Sequence, residues 1–164
     1  MINYINKGHW LAEALEVYNF GCLDGAYYSS NDEAAQKLIN EFDPLPETKA
    51  ESKQLVKKAS ATKRLQYVTQ SAGKDAEYKT KEAEAAQYEI DGTVGVFMQA
   101  RMDKTGEGSA TVGAEWSKKS AKWKAIGAEI AAIEDKAGMD IDNCTDWVLC
   151  ESIAQSAIDS FDLI

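Results

Sequence analysis

The chain has 164 residues, 45% hydrophobic and 27% charged, a globular composition long enough to hold one core without disulfide staples. Its net charge of −9 at pH 7 repels nucleic-acid phosphates and anionic lipid and argues against direct binding to either. No stretch approaches the ~20 apolar residues of a membrane span, and Met1-Ile2-Asn3-Tyr4-Ile5-Asn6-Lys7 lacks the apolar run of a signal peptide, so synthesis in a reducing cytoplasm without membrane insertion is expected.

The first 45 or so residues mix helix and strand signals. From Lys7 to Val17, Trp10 with Ala14 and Leu11 with Leu15 stand at i,i+4 spacing, which predicts a short helix with Asn6 as its cap. Asp24-Gly25, flanked by Phe20, Cys22, Leu23, Tyr27 and Tyr28, predicts a β-hairpin turning through positive φ angles. A lone hairpin is marginal, so it must pack on a helix or a partner. Ser30-Asn31-Asp32-Glu33 reads as a capping box opening a helix to about Glu41, with Ala35, Leu38, Ile39 and Phe42 on one face.

Pro44-Leu45-Pro46 marks the boundary to a second region, residues 46–164, which contains no proline after Pro46. Pro46 suits the first position of a helix. Ala61, Leu65, Val68 and Ala72 form a stripe that Gly73 weakens or ends. Tyr78, Ala85 and Tyr88 carry a further helix to about Ile90, where Asp91-Gly92 stops it. A short helix over Val94 to Met102 groups Val94, Phe97, Met98 and Arg101, and Thr105-Gly106-Glu107-Gly108 is a turn. Ser109 to Ala137 is the clearest helix. Its stripe runs Val112, Trp116, Trp123, Ile126, Ile130, Ile133 and Ala137, interrupted by Lys119, with Gly138 as C-terminal cap. Asp142 or Thr145 opens a last helix through Val148, Leu149, Ile153, Ala157, Ile158 and Phe161. The fold class is therefore mainly α: a small α+β docking module with a hairpin, residues 1–45, then a long-helix hairpin or bundle region. Stripes this narrow on helices of about 37 Å fit a monomeric bundle or an elongated homo-oligomer.

Signals for chemistry are sparse. The single imidazole, His9, stands at a helix start. Gly106-Glu107-Gly108 lacks the lysine and serine of a phosphate loop. Asp32-Glu33 favours its helix dipole, and Asp140-Ile141-Asp142-Asn143 hints at a calcium loop but has Thr145 where glycine is needed. Cys22, Cys144 and Cys150 form no disulfide framework and no zinc spacing, and read as reduced, mostly buried thiols. After Lys136 the tail carries Asp140, Asp142, Asp146, Glu151, Asp159 and Asp162 with no basic residue. No catalytic residue, cofactor or metal is assigned, and a non-enzymatic protein is expected. Tyr4, Trp10, Tyr18, Phe20, Tyr27 and Tyr28 divide between a small N-terminal core and a contact surface, because Tyr and Trp are enriched at binding hot spots.

Two segments carry a resemblance. Asn6-Lys7-Gly8, Leu23-Asp24-Gly25-Ala26-Tyr27-Tyr28 and the run Asn31 to Pro44, ending Phe42-Asp43-Pro44, resemble the N-terminal parts of small tailed-bacteriophage tail proteins. Tyr78 to Ala85, with Trp123 and Ile130-Ile133-Glu134, resembles helical segments of tail-fibre and tail-fibre-assembly proteins. The resemblance touches about half of the chain and excludes the acidic tail after Gly138. It implies a virion component of the tail, fibre or baseplate, made in the host cytoplasm, with a larger tail or fibre protein as partner and no catalytic residues. A fibre-assembly chaperone and an acidic inhibitor of a host DNA-binding protein are the alternatives.

Overall fold

The computed structural model describes residues 2–67 and 73–164. The fold is mainly helical, with a small N-terminal region that carries a β-hairpin, followed by long helices. In chain order these are α1 (His9–Leu15), a 3-10 turn (Glu16–Tyr18), β1 (Gly21–Leu23), β2 (Ala26–Tyr28), α2 (Asp32–Glu41), α3 (Leu45–Leu65), α4 (Lys74–Asp91), α5 (Val96–Thr105), α6 (Ser109–Asn143) and α7 (Trp147–Asp162). Two compact units divide the chain: Met1–Val56 with Ala137–Ser156, and Lys57–Lys136 with Ala157–Ile164.

In the first unit, Ile2, Leu11, Leu15, Ala35 and Ile39 are buried together. They come from α1, α2 and the extended N-terminal segment, at the spacing the periodicity predicts. Asn3 and Gln36 exchange hydrogen bonds, the Asn3 amide donating to Gln36 Oε1 at 2.7 Å and Gln36 Nε2 to the Asn3 carbonyl at 3.2 Å. The helix starts differ from expectation by a residue or two. Gly8, at φ 87°, cannot be helical, so α1 begins at His9, and Asn6 Oδ1 accepts from the Gly8 amide at 3.0 Å before the helix opens. Asn31, not Ser30, caps α2, accepting from the Ala34 amide at 3.1 Å. The Ser30 hydroxyl is already committed to the Tyr18 carbonyl at 2.8 Å.

Lys7 closes the other end of α2. Its Nζ donates to the carbonyls of Phe42 at 2.7 Å and Asn40 at 3.2 Å, placing a cation at the negative end of the helix dipole. Lys7→Met is expected to cost about 1 kcal/mol, read as a lower urea midpoint with an unchanged slope.

The C-terminal part of the same unit joins α3 to the α6–α7 corner. Lys49 Nζ donates to the Asp142 carbonyl at 2.8 Å, and Lys53 pairs with the Asp142 carboxylate. The Trp147 ring lies against Gly8. Helix α6 runs through Gly138 rather than ending there. One internal glycine costs about 1 kcal/mol, and buried Ala137 and Ile141 on either side outweigh that. Asp140 to Asn143 therefore form the last turn of a helix and not a calcium loop. Asp146, rather than Asp142 or Thr145, caps α7, accepting from the Leu149 amide at 3.0 Å. The buried face of α7 is Cys150, Ala154, Ala157 and Phe161, while Val148 and Leu149, expected inside, are exposed.

In the second unit, Ala85, Met98, Val112 and Trp116 are buried together, with Tyr88 and Met102 packed against them. Helices α4 and α6 run antiparallel: Glu82 pairs with Lys124, and Glu89 accepts from the Ser117 hydroxyl at 2.6 Å. Gly113 lets the Tyr88 ring approach the α6 backbone, since a Cβ there would sit 3.1 Å from the ring. The expected α3 stripe is not its buried face. Ala61 and Leu65 are exposed, and Val68 and Ala72 lie outside the described residues. The buried positions of α3 are Thr48, Ser52, Val56 and Ser60, every fourth residue. Small hydroxyls can be buried on a helix because they bond to its own carbonyls. Thr48 Oγ1 donates to the Pro44 carbonyl at 2.8 Å, and Ser60 Oγ lies 2.9 Å from the Lys57 carbonyl.

Candidate functional site

The aromatic N-terminal residues take different places. Tyr4, Phe20 and Tyr27 form a cluster, with ring centroids 5.3 Å apart for Tyr4–Phe20, 4.9 Å for Tyr4–Tyr27 and 5.5 Å for Phe20–Tyr27. With Tyr18 they pack on the buried cluster of the first unit. Trp10 is half-buried, stacked on His9 at 4.4 Å, and its indole N–H is buried without a hydrogen-bond partner. Tyr28 alone of the six is exposed, at 51%.

The hairpin explains this division. Gly21 pairs with Tyr28, Cys22 with Tyr27 and Leu23 with Ala26. Side chains alternate between the faces of a strand, so Tyr27 turns to the core and Leu23 and Tyr28 share the other face. Tyr28 lies across Gly21, where any Cβ would collide with its ring. Leu23 is 67% exposed and Val17, in the preceding 3-10 turn, 73%. Asp24 at φ 50° and Gly25 at φ 80° make the turn, as the Asp-Gly signal requires. Both three-residue strands are edges of a two-stranded sheet, leaving backbone donors and acceptors open to a further strand. The exposed face and open edges form a contact surface of which the aromatic pattern identified only Tyr28; Leu23 and Val17 carried no signal of their own. Cys22, expected to be buried, is exposed on this hairpin.

A second apolar surface lies in the other unit. Ile90, Val94, Val96 and Phe97 surround the α4–α5 connection and are all exposed, Val96 at 81%. The short-helix pattern had grouped Val94 and Phe97 with Met98 and Arg101. Helix α5 begins at Val96, and of those four only Met98 is buried.

Polar clusters tie helices together. Arg101 Nε donates to Glu107 at 2.9 Å and its Nη2 to Glu115, which also pairs with Lys119. Arg101 and then Thr105 lower the Glu107 carboxyl, and Lys119 and then Arg101 lower Glu115. Glu134 accepts from the Ser60 hydroxyl at 2.7 Å and from Arg64 at 3.0 Å. Burial raises the Glu134 carboxyl, but the Ser60 and Arg64 hydrogen bonds outweigh it and the net shift is downward. These carboxylates are held ionised against cations, an arrangement that braces helices. His9 is instead stacked on Trp10, 3.7 Å from Glu51. Among the described residues no group of three His, Cys, Asp or Glu side chains could hold a metal ion, and no helix is long and apolar enough to cross a membrane. The chain matches no family model, no curated protein and no solved structure.

The strongest carboxyl shift gives a pH dependence. Glu77 accepts from Lys74 and Lys81, and these bonds bring its pKa from 4.5 to about 2. Its contribution to α4 is therefore complete above pH 4.5 and lost as pH falls through about 2. Water reaches this clasp, so salt screens it. Helical circular dichroism is expected to fall over that interval in low salt, and Glu77→Gln is expected to remove that part of the fall.

Proposed function

We propose that the chain is a non-enzymatic structural protein of a bacteriophage tail, a fibre or baseplate accessory acting through protein–protein contacts. The observation that carries the contact role is the exposed apolar face of the hairpin, Leu23 and Tyr28 beside Val17, on a two-stranded sheet with both edges open. Exposed aromatic and aliphatic anchors within a charged surround are what a binding patch requires. The resemblance of the Asn6-Lys7-Gly8, Asp24-Gly25 and Phe42-Asp43-Pro44 segments to phage tail proteins supports the placement in a tail. The partner in this reading is a larger tail or fibre protein, with self-association through the helices as a second contact.

Mass spectrometry of purified phage particles tests the role. A fixed stoichiometry with tail proteins is expected. Abundance in the infected cell with absence from particles would instead indicate an assembly chaperone, and recovery with a host nuclease or restriction protein an acidic inhibitor. Leu23→Ser with Tyr28→Ser is expected to leave stability within about 0.5 kcal/mol, since both side chains are exposed. Incorporation into particles, measured by quantitative mass spectrometry, is expected to fall about tenfold or more.

A further inference from the structure

Cys144 and Cys150 flank the entry to α7. Cys144 follows the last residue of α6, Cys150 lies in the first turn or so of α7, and both belong to one compact unit. The Cys144 thiol donates to the Asp146 carbonyl oxygen at 2.8 Å, and the Cys150 amide donates to the same oxygen at 3.1 Å. One atom thus anchors both residues, and their side chains are buried, Cys144 at 5% exposure and Cys150 at 0%. Helices often fix their entry by an apolar contact between a residue just before the cap and one in the second turn. With Asp146 as the cap, the residues in nearly those places here are both thiols. Alkyl side chains would pack as well; two thiols add a reversible S–S bond.

We propose that Cys144 and Cys150 form a dithiol switch, which a hydroperoxide oxidises to an intrachain disulfide that locks the entry of α7. Cys144 is the attacking sulfur because it keeps some access to solvent. Its sulfur takes one peroxide oxygen as the O–O bond breaks, giving a sulfenic acid and one water. The Cys150 sulfur then displaces the hydroxyl from that sulfur, its proton leaving with the second water. Two thiols lose two electrons and two protons, and one hydrogen peroxide becomes two waters. Burial first, and then the neighbouring Cys144 thiol, hold the Cys150 thiol well above its usual value. It therefore waits protonated as the resolving partner.

The test uses the full chain carrying Cys22→Ser, which removes the exposed competitor. The folded, reduced protein is treated with hydrogen peroxide, quenched with an alkylating reagent, and mapped by peptide mass spectrometry. The expected result is a monomer lighter by two hydrogens, a linked peptide pair containing Cys144 and Cys150, reversal by dithiothreitol, and a Tm higher by about 5 °C. Adding Cys144→Ser or Cys150→Ser is expected to abolish the link. Two thiols still free for alkylation after unfolding would overturn the proposal, as would Cys144 over-oxidised to sulfinic acid without a link, or a linkage only between chains.

Discussion

Glu84→Ala is expected to destabilise the second unit by about 2 kcal/mol. Glu84 belongs to α4, yet its carboxylate accepts the backbone amides of Phe97 at 3.1 Å and Met98 at 2.8 Å, the donors left open in the first turn of α5. An anion at that end also suits the helix dipole. Alanine would leave the partly buried Met98 amide without a partner. Gly95 is the other half of this device: a Cβ there would come within 2.2 Å of the Glu84 carboxyl carbon. Gly95→Ala is therefore expected to push the carboxylate out of its seat and cost a similar amount. The double variant is expected to cost little more than either single one, because both remove the same cap. Urea melts of the four proteins supply the cycle, and full additivity would refute the shared cap.

Leu11→Ala is expected to cost about 3 kcal/mol, within the usual range for emptying a buried leucine site. Leu11 is fully buried among Ile2, Leu15, Ala35 and Ile39, and so small a cluster has little else to fill the void. The melting temperature is expected to fall on the order of 10 °C. Amide hydrogen exchange locates the loss, with protection falling in α1 and α2 first. Leu23→Ala, on the outward face of the hairpin, is expected to stay within about 0.5 kcal/mol. Equal losses from the two variants would mean that the hairpin's outer face is part of the core.

Elements fixed by neighbours in sequence were readable without coordinates. The Asp24-Gly25 turn and the Ala35, Leu38, Ile39 and Phe42 face of α2 stand where local pattern places them. Val112, Trp116 and Ile130 of the α6 stripe are buried as their spacing predicts. What escaped was set by distant partners. The cap of α5 comes from Glu84, thirteen and fourteen residues before the amides it serves. The buried face of α3 is mostly hydroxyl, which a hydrophobicity pattern reads as solvent. Gly138 looked like a terminus because the gain from burying Ile141 is not visible at the glycine. For the contact surface, the aromatic residues were visible but their direction was not, since strand register decides that Tyr27 faces inward and Tyr28 outward.

The Trp147 ring against Gly8 and the hold of Lys49 and Lys53 on Asp142 make the N-terminal segment poor material for dissection. A fragment stopping at the twin prolines would discard its own flooring, which arrives about a hundred residues later along the polypeptide. A ribosome would have released the hairpin and its two short helices well before those supports emerged. During that wait the unsupported strands would be most open to a neighbour.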